Sequence, residues 1–169
     1  MARNLLRLGA VKAGQWAQRA AREGFTVPVP QSILDRLAAR VDDTSIRDLS
    51  LTPQPGNRLR LSGLKKKGVW VEFAAEFRIA HPDTDDPPQS LVLALEKAEP
   101  FFARKPLLDA LEAIQGVHVR GERILVDLGG VIAASDWGGR IPAAVRNRLR
   151  IREVATTEDG RLRLRVALA

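Results

Sequence analysis

The feature that most constrains this chain is an alternation running from Val69 to His81. Val69, Val71, Phe73, Ala75, Phe77 and Ile79 take every second position, with Trp70, Glu72, Ala74, Glu76, Arg78 and Ala80 between them. A period of two sends the first set to one face of a sheet and the second set to the other. The thirteen residues of this stretch, at a rise of about 3.3 Å each, predict a strand roughly 40 Å long, twice the common length. Such a strand needs long neighbours and an apolar cover for one face.

The neighbours are legible on both sides. Arg58 to Leu64 alternates, with Leu59 and Leu61 opposed to Arg58, Arg60 and Ser62. Lys65-Lys66-Lys67-Gly68 then reads as the tip of a hairpin into the long strand. His81 to Pro88, with three aspartates and three prolines, predicts a loop. Leu91, Leu93 and Leu95 alternate again and are expected to pair antiparallel with the long strand.

Ile46 to Leu51 predicts a further strand, Val117 to Val119 and Ile124 to Leu128 short ones, and Leu149 to Val154 with Leu162 to Leu168 a closing hairpin. In the last strand Leu162, Leu164, Val166 and Leu168 oppose Arg161, Arg163 and Arg165, a core face against an arginine row.

Helical signals appear in four places. Residues 4 to 23 predict a basic amphipathic helix with an alanine-rich apolar arc, stopped at Gly24. Thr26 to Gln31, carrying Pro28 and Pro30, reads as an extended linker. Ser32 to Asp35 resembles a capping box opening a second helix, whose stripe is Ile33, Leu34, Leu37, Ala38 and Val41. Pro106 opens a third, Leu107 to Ile114, and Pro142 to Leu149 a short fourth. The expected organisation is an N-terminal amphipathic helix, residues 1–25, followed by a single domain, 26–169. Its class is α+β: a long curled antiparallel sheet wrapped on two or three helices.

Composition bounds the chemistry. There is no cysteine and no tyrosine, so thiolate catalysis, disulfides and cysteine-ligated zinc are excluded. The two histidines, His81 and His118, have no metal-pair spacing. The acidic run Asp83, Asp85, Asp86 lacks the ligand order and glycine of a calcium loop. Glu72 and Glu76 share a strand face, and cross-strand partners Arg58 and Arg60 explain them better than acid–base work. Phosphate-loop, dinucleotide and nucleophile-elbow motifs are lacking. The expectation is a protein that is not an enzyme and takes no cofactor and no metal.

The net charge of +7 points instead to an anionic partner. Lys65, Lys66, Lys67, Arg161, Arg163 and Arg165 are the candidate contacts for an anionic surface. Residues 140 to 152 hold five arginines and no acid. No apolar run reaches membrane-spanning length and the start has no signal-peptide core, so the expected location is cytoplasmic, with peripheral contact at the inner membrane.

The order of these pieces resembles the small bacterial tubular lipid-binding (TULIP-like) domains. The residues that carry the resemblance are Leu59-Arg-Leu-Ser-Gly63 before a tight turn, the long strand Val69–His81, and the alternating Leu91–Leu95. The helix Leu107–Ile114, the stretch Val119-Arg-Gly-Glu-Arg-Ile-Leu-Val-Asp-Leu128 and the closing Leu149–Leu168 hairpin complete it, over roughly residues 32 to 168.

The resemblance implies a curled sheet around a helix and a lipid or other apolar ligand held in the groove, with no catalytic residues. The groove would be lined by Val69, Val71, Phe73, Phe77, Ile79, Leu91 and Leu93. Two other readings remain: a nucleic-acid-binding module using the arginine and lysine faces, and a structural or interaction domain without a small ligand.

Overall fold

The computed structural model describes residues 24–41, 43–100, 103–134 and 139–168. The expected helix over residues 4 to 23 lies outside them. Two antiparallel sheets and several short helices make an α+β fold.

The larger sheet has six strands in the order β2-β3-β4-β5-β7-β6. They are β2 (Ile46–Gln54), β3 (Arg58–Lys67), β4 (Val69–Ala80), β5 (Ser90–Glu99), β6 (Val117–Arg120) and β7 (Arg123–Asp127). The long alternating stretch is the twelve-residue β4, paired along its length with β3 and, from Ala74 to Ala80 with a bulge at Glu76/Phe77, with β5. Ile79 faces Leu93 and Phe77 faces Leu95, as the alternation predicts.

The smaller sheet is β1-β9-β8, made of β1 (Phe25–Val29), β8 (Leu149–Thr156) and β9 (Leu162–Leu168). The stretch expected to be a linker is therefore a strand. Phe25 to Val29 pairs with Val166 to Leu162, and Pro28 is tolerated because β1 is an edge. Gly24 sets its entry: at φ +74, a Cβ there would sit 2.7 Å from the Val166 carbonyl oxygen.

The helices are α1 (Gln31–Ala38), α2 (Arg104–Glu112), α3 (Gly129–Ala134) and α4 (Ala143–Arg146). The capping box does not form. Pro30 is the N-cap of α1 and no side chain caps it. Gln31 instead donates to Asp35 Oδ1 at 2.9 Å and to the Leu51 carbonyl at 2.8 Å, tying the helix to β2. Helix α2 starts at Arg104, so Pro106 sits in its first turn, where a missing N–H loses no helical bond.

Both sheets and the helices bury their apolar faces in one core. Leu59, Phe77, Leu91 and Ile124 from the large sheet, Leu149 and Val166 from the small one, and Leu34 of α1 are each at most 2% exposed. A reciprocal clasp joins the sheets: Asn57 N–H donates to Thr156 Oγ1 at 2.8 Å, and Thr156 N–H donates to Asn57 Oδ1 at 2.9 Å.

Candidate functional site

The inner face of β4 is apolar throughout but not covered throughout. Phe73, Ala75, Phe77 and Ile79 are buried, Val71 is half-buried, and Val69 is 70% exposed. Leu91 and Leu93 on β5 are buried beside Phe77 and Ile79. Of the seven residues expected to line a groove, five are therefore packed core and two lie toward the open end.

Packing is not complete under the helices. A cavity of about 80 Å³ lies against the sheet, its lining including Leu37, Leu61, Phe77, Leu93, Leu111 and Val126. Arg40, Gln115 and Asp127 are among its polar lining residues. A smaller cleft of about 30 Å³ sits toward the tip of the β3–β4 hairpin, between Val71, Phe73, Pro106 and Leu107.

The close approach that shapes this end is at Gly63. It lies opposite a bulge in β2, where the register shifts between Arg47 and Ser50 and Asp48 takes φ 54. A Cβ on Gly63 would meet Leu49 Cδ1 at 3.1 Å and Phe73 Cε1 at 3.2 Å.

The three hairpin lysines have different fates. They belong to β3 rather than to a loop, pairing with Val71, Trp70 and Val69, and the turn is Gly68. Lys65 Nζ donates to Asp43 Oδ2 at 2.8 Å and to Ser45 Oγ at 2.5 Å. The Lys65 ammonium, followed by Ser45, holds the Asp43 carboxyl at about 2, below its ordinary 3.8. Lys66 lies 6.0 Å from the Trp70 ring centroid, and Arg47 stacks over the same ring at 4.0 Å. This cation–aromatic cluster was hidden in the sequence, although Trp70 and Lys66 were each on the polar side of their strands.

The two outer faces carry opposite electrostatics. On the large sheet, Glu96 accepts from Arg58 at 3.2 Å and Arg78 at 3.1 Å, Arg60 faces Glu76 at 3.7 Å, and Lys97 meets Glu99 at 2.5 Å. Glu76 thus has the cross-strand partner expected of it. On the small sheet, Arg163 and Arg165 project outward on β9, and Arg161 pairs with Asp159 at 3.0 Å. Strand β8 adds Arg150 and Arg152, both exposed, with a register shift between Ile151 and Glu153. Arg150, Arg152 and Arg163 have no ion-pair partner among the described residues.

The remaining candidates do not converge. His81 directly follows β4 and His118 lies on β6, with β5 and β7 between those strands, a separation across the sheet of about 14 Å. No group of three or more metal-ligating side chains occurs among the described residues. The acidic loop is not simply exposed: Arg123 bonds both Asp83 and Asp86, and the Asp86 side chain is 5% exposed. No described helix is long and apolar enough to cross a membrane. The chain matches no protein-family model, no curated protein and no solved structure.

Proposed function

We propose that this chain is a non-enzymatic domain that binds a lipid or another apolar ligand on the inner face of its six-stranded sheet. It works peripherally at an anionic membrane, from the cytoplasmic side. The observation that carries this reading is the continuity of one apolar face, from buried Ile79 through Phe77 and Phe73 to the open end at Val69. The cavity of about 80 Å³ meets that face at Phe77 and extends across the sheet between Leu61 and Leu93. In this reading the sheet curls around α1 and α2, as in the tubular lipid-binding domains the sequence resembles.

Size sets the mechanism. A dry apolar void of roughly 150 Å³ admits benzene, and sites for drug-sized ligands occupy about 300–1,000 Å³. At about 80 Å³ the cavity is a closed state that opens when a ligand parts the helices from the sheet. The helices suit that motion: α1 buries only Leu34 and Ala38 fully, and α2 only Leu107. Few buried contacts hold them, so local opening is cheaper than unfolding.

Native mass spectrometry of the protein purified from its host, with lipid extraction, tests this directly. The expected result is a co-purifying lipid at defined stoichiometry, lost in Leu93→Trp, which fills the cavity. A bare mass that does not change on adding fatty acids or phospholipids would make the face a filled core and end the reading.

The unpaired arginines of the small sheet favour a second reading, a nucleic-acid-binding module. Phosphate neutralisation releases counterions, so oligonucleotide affinity falling steeply with salt would select it.

A further inference from the structure

We propose that the stretch from Arg140 to Arg152, an exposed apolar turn set among arginines, is the surface through which the protein lies on an anionic lipid bilayer. The inference rests on the membrane-associated reading above but not on whether the cavity is occupied.

Four consecutive apolar residues, Pro142, Ala143, Ala144 and Val145, are exposed here. Helix α4 contains no buried residue. Val145, at 40% exposure, and Val69 are the exposed large hydrophobic side chains among the described residues. A single exposed valine needs no explanation, but a run of exposed apolar residues in a folded domain calls for a function.

The C-terminal flank of the turn is tied to the segment that leads into β5. Gln89 Nε2 donates to the Arg146 carbonyl at 2.9 Å and to the Leu149 carbonyl at 3.1 Å. Ile151 N–H donates to the Pro88 carbonyl at 2.8 Å. These bonds fix the end of the turn to the body of the domain while Pro142 to Val145 stay exposed.

Charge decides the partner. Arg140, Arg146, Arg148, Arg150 and Arg152 fall in this stretch with no acid among them. Arg163 and Arg165 lie on the adjoining strand β9, with Glu153 the acid opposite Arg165. Arginines bind lipid phosphates and nucleic-acid phosphates alike. The apolar turn separates the two cases: it gains by entering the headgroup–acyl boundary and gains nothing against a polyphosphate.

The test is flotation of the full chain with vesicles of phosphatidylcholine alone or mixed with phosphatidylserine. Two variants are compared, Val145→Asp and the double Arg150→Ser/Arg152→Ser, with thermal melting to confirm the fold. Wild type is expected to float only with the phosphatidylserine vesicles. At the usual worth of a basic residue near an anionic surface, the double variant should bind about 30-fold more weakly. Val145→Asp should also bind more weakly while melting like wild type.

Wild type that ignores the anionic vesicles, or either variant binding them as wild type does, overturns the proposal. So does duplex DNA binding that Val145→Asp leaves unchanged when vesicle binding is lacking. Co-purified lipid without vesicle binding would sink this surface and leave the cavity reading standing. Vesicle binding with a bare native mass would do the reverse.

Discussion

The outer faces of the two sheets are both rich in arginine, yet they are built differently. On the large sheet most outward cations meet a carboxylate: across strands Arg58 and Arg78 reach Glu96 and Arg60 reaches Glu76, and along β5 Lys97 meets Glu99. On the small sheet Arg150, Arg152 and Arg163 meet no acid among the described residues. The difference teaches that basic charge is not spread evenly over the two sheets. Cross-strand pairing neutralises one face and leaves the other as a concentrated positive field.

The comparison presumes one shared core, and the largest predicted effects test that. Phe77→Ala on the large sheet and Leu164→Ala on the small one, both at most 5% exposed, should each destabilise by about 3–4 kcal/mol. Urea denaturation should show a single transition in both variants. Two separate transitions would mean that the faces belong to independently stable units.

Gly63→Ala comes next. Its added methyl would crowd Leu49 and Phe73, at a cost of about 1–3 kcal/mol in the same assay. A neutral result would show that the bulged edge of β2 yields freely.

The Lys65–Asp43 pair is a smaller, pH-dependent contribution. The folded Asp43 carboxyl is lowered, so its stabilisation is present above 3.8 and is lost as the pH falls from 3.8 toward about 2. The stability gap between wild type and Asp43→Asn should therefore hold near neutral pH and close through that window. A gap that persists into acid would remove the pair as its cause.

The smallest pair of effects addresses the two faces themselves. Glu96→Gln leaves Arg58 and Arg78 without their carboxylate and should cost about 0.5–1 kcal/mol, reduced by salt. Arg163→Gln should stay within about 0.5 kcal/mol of wild type, because no ion pair is lost. Equal costs at both positions would erase the distinction between the faces.

Much of this fold was legible because it rests on local periodicity. The alternation of β4, the Leu91–Leu95 strand and the closing hairpin could be read residue by residue. The Phe25–Val29 strand could not. Pro28 and Pro30 signal extended chain, but only pairing with the distant Leu162–Val166 makes it a strand. Lys65 had a similar blind spot: three adjacent lysines look like one solvated tip, whereas alternation turns Lys65 toward the core side, where Asp43 and Ser45 meet it. The Asp83–Asp86 stretch read only as an acidic loop because its clamp, Arg123, lies about forty residues away in sequence.

By itself the sequence determined which residues share a strand face, the absence of thiol chemistry and the excess of basic charge, all consequences of side-chain identity and a period of two. Only the tertiary structure decided how the strands divide into two sheets, where the apolar face is covered and where it opens, and which arginines find carboxylates. Those outcomes depend on contacts between residues far apart in the chain, and local pattern carries no information about them.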